Sequence, residues 1–259
     1  MSYKYILTAV SRVGDTHQQS DEFYFADGLS SANKNVCNNA SIQTICKGRK
    51  HIFSIISCSN NTNELCKFLN KALAKRSTHK IRVKMQYALR GIIDEMYAMV
   101  GKENDANMSM VYIDDSYIYA SGFGNTSVYH LPKKDAIAKK ISFPSPSLTN
   151  AITTQSEEEA SCTPSDFCHS KCLGQLKAND EYLVVGDWLQ SKAGDRAICD
   201  ALSSFHSNSP KELIDNVYTD DSSKTVTALH IRVKKSLTSL WLSLGVSLVA
   251  IAAALITLF

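Results

Sequence analysis

The stretch Glu181–Gln190, EYLVVGDWLQ, decides how this chain is read. Tyr182, Leu183, Val184 and Val185 form a short apolar run of strand type that rises from a polar turn and stops at Gly186-Asp187. A carboxylate at the end of a buried strand is a common place for a metal ligand. Trp188, directly after it, is large where a crowded site favours glycine. Asp187 therefore belongs either to a working site or to what remains of one.

Outward from this stretch, the same strand pattern recurs. Tyr3–Val10 and Glu22–Asp27 read as strands, and the polar segment GLSSANKNVCNNAS between Gly28 and Ser41 reads as a loop. His51–Ser57, HIFSIIS, is dense enough in β-branched and aromatic residues for a strand buried on both faces. Two helices follow. Asn61 or Thr62 caps the first, with Leu65, Phe68, Leu69, Ala72 and Leu73 on one face. The second carries Ile81, Met85, Ala88, Leu89, Ile92, Met96 and Val100 on one face and stops at Gly101. MSMVYID, YIYASG and TSVYHL, between Met108 and Leu131, read as a meander of hairpins. Residues 133–165 are poorer in pattern, and within them FPSPSLTNAITTQSEEEASCTP, Phe143–Pro164, reads as an exposed loop in which Glu157, Glu158 and Glu159 form a solvated face. After the opening stretch come two helical segments and a last strand, Thr225–Val233. Two antiparallel sheets packed face to face, with helices outside, satisfy this order and predict a four-layer α-β-β-α sandwich of the α+β class.

The 259 residues suffice for one full domain. The formal net charge is +3 and no long basic block occurs, so nothing points to nucleic acid. Eight cysteines are too sparse for a disulfide framework, and MSYKYILTAV lacks a signal-peptide pattern, so reduced cytosolic thiols are expected. Cys162, Cys168, His169 and Cys172 cluster, but their spacing fits no structural zinc knuckle. Leu237–Phe259 runs 23 residues without a charge, about 35 Å as a helix, and follows Arg232, Lys234 and Lys235. This pattern predicts a single-pass C-terminal transmembrane helix with the main domain facing the cytoplasm. Residues 1–233 then form the domain, 234–236 a basic linker and 237–259 the span. Ser239, Ser243, Gly245 and Ser247 in the span hint at a homo-oligomer.

Several short segments, in order along residues 3–233, resemble motifs of the PPM (PP2C-type) metal-dependent serine/threonine phosphatases. VGDTHQQSDEFYF resembles the segment with Gly, then Arg, then Asn-Glu-Asp before a strand: Gly14 is kept, His17 falls on the Arg, Ser20 on the Asn and Glu22 on the metal-binding Asp. HIFSIISCSNN resembles the strand ending in Asp-Gly, with Ser57 on the Asp, Cys58 on its Gly, and Asn60 and Asn61 on later glycines. YASGFGNTSVYHL resembles the Gly-Asp-Ser-Arg turn, through Gly124, Asn125, Thr126 and Ser127, with Tyr129 kept. Cys172-Leu173-Gly174 resembles the Leu-Gly before the next strand. NDEYLVVGDWL resembles the segment from Gly-Asp to Ser-Asp-Gly-Leu, with Asp180, Asp187 and Leu189 matching and Trp188 on the Gly. In the last motif, Asp-Asn-x-Thr, Lys224 falls on the Asp and only Thr227 survives.

The resemblance implies a two-metal cleft whose four acidic positions fall here on Glu22, Ser57, Asp187 and Lys224. Divalent Mg²⁺ or Mn²⁺ needs several hard carboxylates. A serine hydroxyl is a poor substitute, and a lysine ammonium repels the ion and pairs with Asp187 or Glu22 instead. His17 gives up the bidentate grip of an arginine on phosphate. The expectation is a pseudophosphatase with no catalytic residues, no metal and no other cofactor, tethered to a membrane and acting on a protein partner as adaptor, decoy or regulator. One alternative is an active or weakly active Mn/Mg-dependent serine/threonine phosphatase that recruits Asp21, Asp27, Asp114, Asp115, Asp220 or Asp221. Another is a structural, self-associating membrane protein.

Overall fold

The structure, a computed structural model, describes residues 3–12, 21–27, 32–34, 40–57, 62–76, 82–100, 106–115, 117–125, 127–135, 137–143, 168–204, 209–217 and 225–236. In chain order the strands are β1 (Tyr3–Arg12), β2 (Asp21–Asp27), β3 (Ala32–Lys34), β4 (Ala40–Lys47) and β5 (Lys50–Ser57). Helices α1 (Thr62–Arg76) and α2 (Arg82–Val100) follow, then β6 (Asn107–Asp114), β7 (Tyr117–Phe123), β8 (Val128–Leu131), β9 (Lys139–Lys140), β10 (Cys168–Gln175) and β11 (Glu181–Val185). Helices α3 (Asp187–Ser204) and α4 (Ser209–Val217) precede the last strand, β12 (Val226–Lys235).

The strands form two six-stranded sheets, ordered β4-β1-β12-β11-β8-β9 and β10-β7-β6-β5-β2-β3, and every pairing is antiparallel. Period-two alternation sorts the side chains between layers. Tyr5, Leu7, Phe53, Ile55, Val111, Ile113, Val184 and Leu229 pack between the sheets. Ile52, Ile56, Met108 and Met110 face the other way, onto Leu65, Leu69, Leu89, Ile92 and Met96 of α1 and α2. Val10, Leu183, Val226 and Ala228 face Leu189, Ile198, Leu202, Leu213 and Ile214 of α3 and α4. Both faces of β5 thus meet apolar layers, which is why HIFSIIS carries no alternation. The expected four-layer α-β-β-α sandwich is the observed one.

Several local expectations change. Ala32–Lys34, Ala40 and Ser41, read as loop, form β3 and the start of β4, and IQTICK, unassigned from the sequence, completes β4 in the first sheet, from which Gly48-Arg49 carries the chain across to β5 in the second. The predicted meander holds only for β6 and β7, because β8 leaves for the first sheet after Gly124-Asn125. CHSKCLGQ forms β10 on the edge of the second sheet. β12 continues through Lys234 and Lys235, which pair with Lys4 and Tyr3.

The membrane expectation is corrected. Among the described residues no helix is long and apolar enough to cross a membrane. The physical reason lies in their patterning: the 19-residue α2 carries Arg82, Lys84, Arg90, Asp94 and Glu95, and its apolar face is spent on a sheet. The expected span, 237–259, lies outside the described residues. The transmembrane helix of the fold, the membrane tether of the function, the membrane as a partner and the single-pass, cytoplasm-facing anchor are therefore withdrawn.

Candidate functional site

One rim of the sandwich collects the expected site. There β2 begins, β5 ends, β6 begins and β7 ends in the second sheet; β1 and β11 end and β12 begins in the first. The register puts Ser57 opposite Asn107 on one side and Asp21 on the other, while Glu22 lies opposite Ile56. Asp187 is the first residue of α3, with Gly186 alone between it and the end of β11.

The turn after β7 joins these positions. Gly124 has φ +67°, and a Cβ there would collide with Asn107 Oδ1 and stand 2.8 Å from the Ala106 carbonyl oxygen. With only hydrogen at that point, the Asn125 amide N–H donates to Asn107 Oδ1 at 2.7 Å. Asn125 Nδ2 in turn donates to Asp187 Oδ1 at 2.5 Å and to Gln190 Oε1 at 3.0 Å. Ser57 and Asp187 thus stand on one rim, linked through Asn107 and Asn125. Bonds from backbone N–H groups fix the frame: Ser127 N–H to the Ser109 hydroxyl oxygen at 2.8 Å, Val185 N–H to the Ser127 carbonyl at 3.1 Å, and Gly186 N–H to the Thr227 carbonyl at 2.9 Å. Ser11 and Thr227 hydroxyls bond at 3.0 Å below it.

The network extends along α3, which kinks at Gly194 (φ 75°, ψ 155°). Gln190 Nε2 donates to Asp195 Oδ1 at 3.0 Å, the Tyr129 hydroxyl to the same oxygen at 2.7 Å, and Lys140 Nζ lies 3.1 Å from it. Burial pushes the Asp195 carboxyl up, but the hydrogen bonds from Gln190, Tyr129 and Lys140 outweigh it and hold the group below the ordinary carboxylate range. Tyr129 is pushed up, by burial first and then by its bond to Asp195. Asn107, Gln190, Asp195 and Lys140 were not legible as site residues, because no spacing marks them and only tertiary packing unites them. Trp188 packs against the core beneath α3, with the Lys192 ammonium 5.7 Å from its ring centre.

Other expected positions separate or fall outside. Lys224, His17, Cys58, Asn60 and Asn61 lie outside the described residues, as does the side chain of Glu22. Asp114 and Asp115 sit at the far end of β6, about 24 Å along the strand from Asn107. Asp114 pairs there with Lys50 at 3.3 Å, and Asp115 forms the hairpin turn at φ 55°. Asp27 ends β2 at the same distant rim. Asp220 and Asp221 lie outside the described residues. Cys168 is buried on β10, where burial and then Asp94 push its thiol up. Among the described residues no group of three or more His, Cys, Asp or Glu is placed to hold a metal ion. The described oxygens here are the Asp187 carboxylate, that of Asp195 beyond Gln190, hydroxyls and side-chain amides, fewer hard carboxylates than a pair of divalent cations takes; the side chains of Asp21 and Glu22 lie outside the described residues.

No family model and no curated protein matches this chain. Solved structures do. The phosphatase domain of the cell fate determinant SpoIIE from Bacillus subtilis is similar with a TM-score of 0.59 and 14% identity, over 91% of this chain and 94% of that one. The Mycobacterium tuberculosis serine/threonine phosphatase PstP/Ppp is similar with a TM-score of 0.53 and 16% identity, over 91% of this chain and 100% of that one. The catalytic domain of PstP in complex with two manganese ions gives a TM-score of 0.50 and 16% identity, over 89% and 100% of the two chains. These likenesses define the fold as that of the PP2C-type phosphatases.

Proposed function

We propose that this chain is a pseudophosphatase: a PP2C-type fold that has lost metal-dependent phosphoryl chemistry and works by binding a protein partner as adaptor, decoy or regulator. The observation that carries the reading is the occupation of Asp187. Its carboxylate is taken up by the Asn125 amide, and β5 ends on the same rim in Ser57 rather than a carboxylate. Two-metal catalysis needs ions that activate water and neutralise the phosphoryl charge. PstP binds two manganese ions on this fold; among the described residues the rim here offers few hard oxygens for such a pair. Ser57 and Lys224, at two of the four acidic positions of the resemblance, support the same reading.

One observation favours residual phosphatase activity: Asp21 occupies the register position opposite Ser57. Hydrolysis of an aryl phosphate with added Mn²⁺ separates the two readings. The pseudophosphatase reading predicts a rate equal to the Mn²⁺ blank. A Mn²⁺-dependent rate that disappears in the Asp21→Ala/Asp187→Ala double variant, or in Glu22→Ala/Asp187→Ala, overturns it.

A further inference from the structure

Among the described residues the two sheets have four edge strands, of which two are very short and one is covered. β9 has two residues and β3 has three. β10 is longer, but Gln86 of α2 covers its edge: its Nε2 donates to the Ser170 carbonyl at 3.0 Å and its Oε1 accepts from the Cys172 N–H at 3.4 Å. A bulge between Cys172 and Gly174 breaks that edge again. β4 has eight residues and, among the described residues, no strand beyond it. Residues 40–46, ASIQTIC, contain neither charge nor proline, the devices that ordinarily blunt an edge. Ile45 on β4 is 53% exposed.

The same region carries positive charge that no described carboxylate pairs with. Lys4 stands opposite Lys47 of β4 and opposite Lys234 of β12, so three lysines form one row across three adjacent strands. The row lies on the outer face of the first sheet, with Ile45, Ile6 and Arg232 as the next row. α3 and α4 cover that face toward the opposite rim, where Arg12 pairs with Asp215. Glu181, the carboxylate nearest in register, is taken by Arg232 at 2.9 Å and His230 at 2.7 Å. Among the described residues Lys234 reaches the neutral Asn179 Oδ1, at 3.3 Å. Like charges directly opposite one another destabilise a sheet unless an anion sits among them.

We propose that β4 is a docking edge, and that its occupant is an extended, acidic segment of a partner protein that adds to the first sheet as a seventh strand. Main-chain hydrogen bonds to β4 supply the affinity, and a carboxylate level with the row Lys47, Lys4 and Lys234, nearest to Lys47, supplies the selectivity. A second copy of this chain is the poorer occupant, since β4 brings another Lys47 and no carboxylate. The proposal rests on the protein-binding part of the proposed function and gives that part its surface.

The test uses the full chain and a fluorescein-labelled nine-residue peptide of alternating glutamate and valine, read by fluorescence anisotropy. Binding is expected, and a lysine–valine peptide of the same length is expected not to bind. The Lys4→Glu/Lys47→Glu/Lys234→Glu variant should bind the glutamate peptide about tenfold more weakly or worse. Two N-methylated peptides, blocked at the odd or the even amides, need no variant. Strand addition uses one edge of the peptide, so one of the pair should bind and the other should not. Equal binding of both, no binding of the parent peptide, or a dimer in sedimentation that Ile45→Lys abolishes each overturns the docking edge. Failure here with no Mn²⁺-dependent hydrolysis leaves the pseudophosphatase reading standing; such hydrolysis sinks that reading whether or not the peptide binds.

Discussion

Gly124 is the residue on which the rim turns. Its positive φ and the Asn107 oxygen against it impose two separate demands, and the structure contains a control for one of them. Gly194 has a similar φ of 75°, with nothing within 4 Å of the point a Cβ would occupy. Gly194→Ala should therefore lose only the dihedral contribution, about 1–2 kcal/mol. Gly124→Ala should lose that and more, because Asn107 must move and Asn125 with it; urea unfolding of the two variants checks the order, and equal losses contradict it. At this scale the sequence is partly legible. Gly124 and Asn125 are marked by resemblance to a Gly-Asp-Ser-Arg turn, and Asp187 by the end of its strand. Asn107 is not, since an asparagine that opens a strand has no local reason to serve a turn eighteen residues on.

Strands buried on both faces and amphipathic helices announce themselves, and periodicity places β5, α1 and α2 within a residue or two. It misses β4 and β10, because edge strands owe their pairing to one neighbour and their sequences are mixed rather than apolar. β11 and β12 carry the clearest electrostatic feature of an element. Glu181 bridges His230 and Arg232 on the outer face. Burial raises its carboxyl, but those two partners prevail and hold it below the ordinary range; Asp180, bonded by His130 and the Lys133 N–H, behaves alike. A depressed folded-state value means that each group stabilises the fold above its unfolded value, about 4, and loses that contribution as pH falls through the folded value. The urea midpoint should therefore drop as pH is taken from about 5 toward 3. Glu181→Gln should flatten part of that drop while costing about 1–3 kcal/mol at pH 7; an unchanged acid limb contradicts the assignment.

For the whole molecule, two sheets and two helix pairs make the PP2C-type sandwich, and the order of strands and helices makes that legible before any contact is known. The site is less so. Three of its four expected positions, Glu22, Ser57 and Asp187, are brought to one rim by register and chain path, and the side-chain network around Asp187 is a tertiary product. The central claim is that this rim no longer holds a metal pair, and Mn²⁺ binding measured by isothermal titration calorimetry on the full chain tests it most directly. The account predicts no site tighter than about millimolar, a binding free energy of about −4 kcal/mol at most. Two micromolar sites that vanish in Asp187→Ala would contradict it.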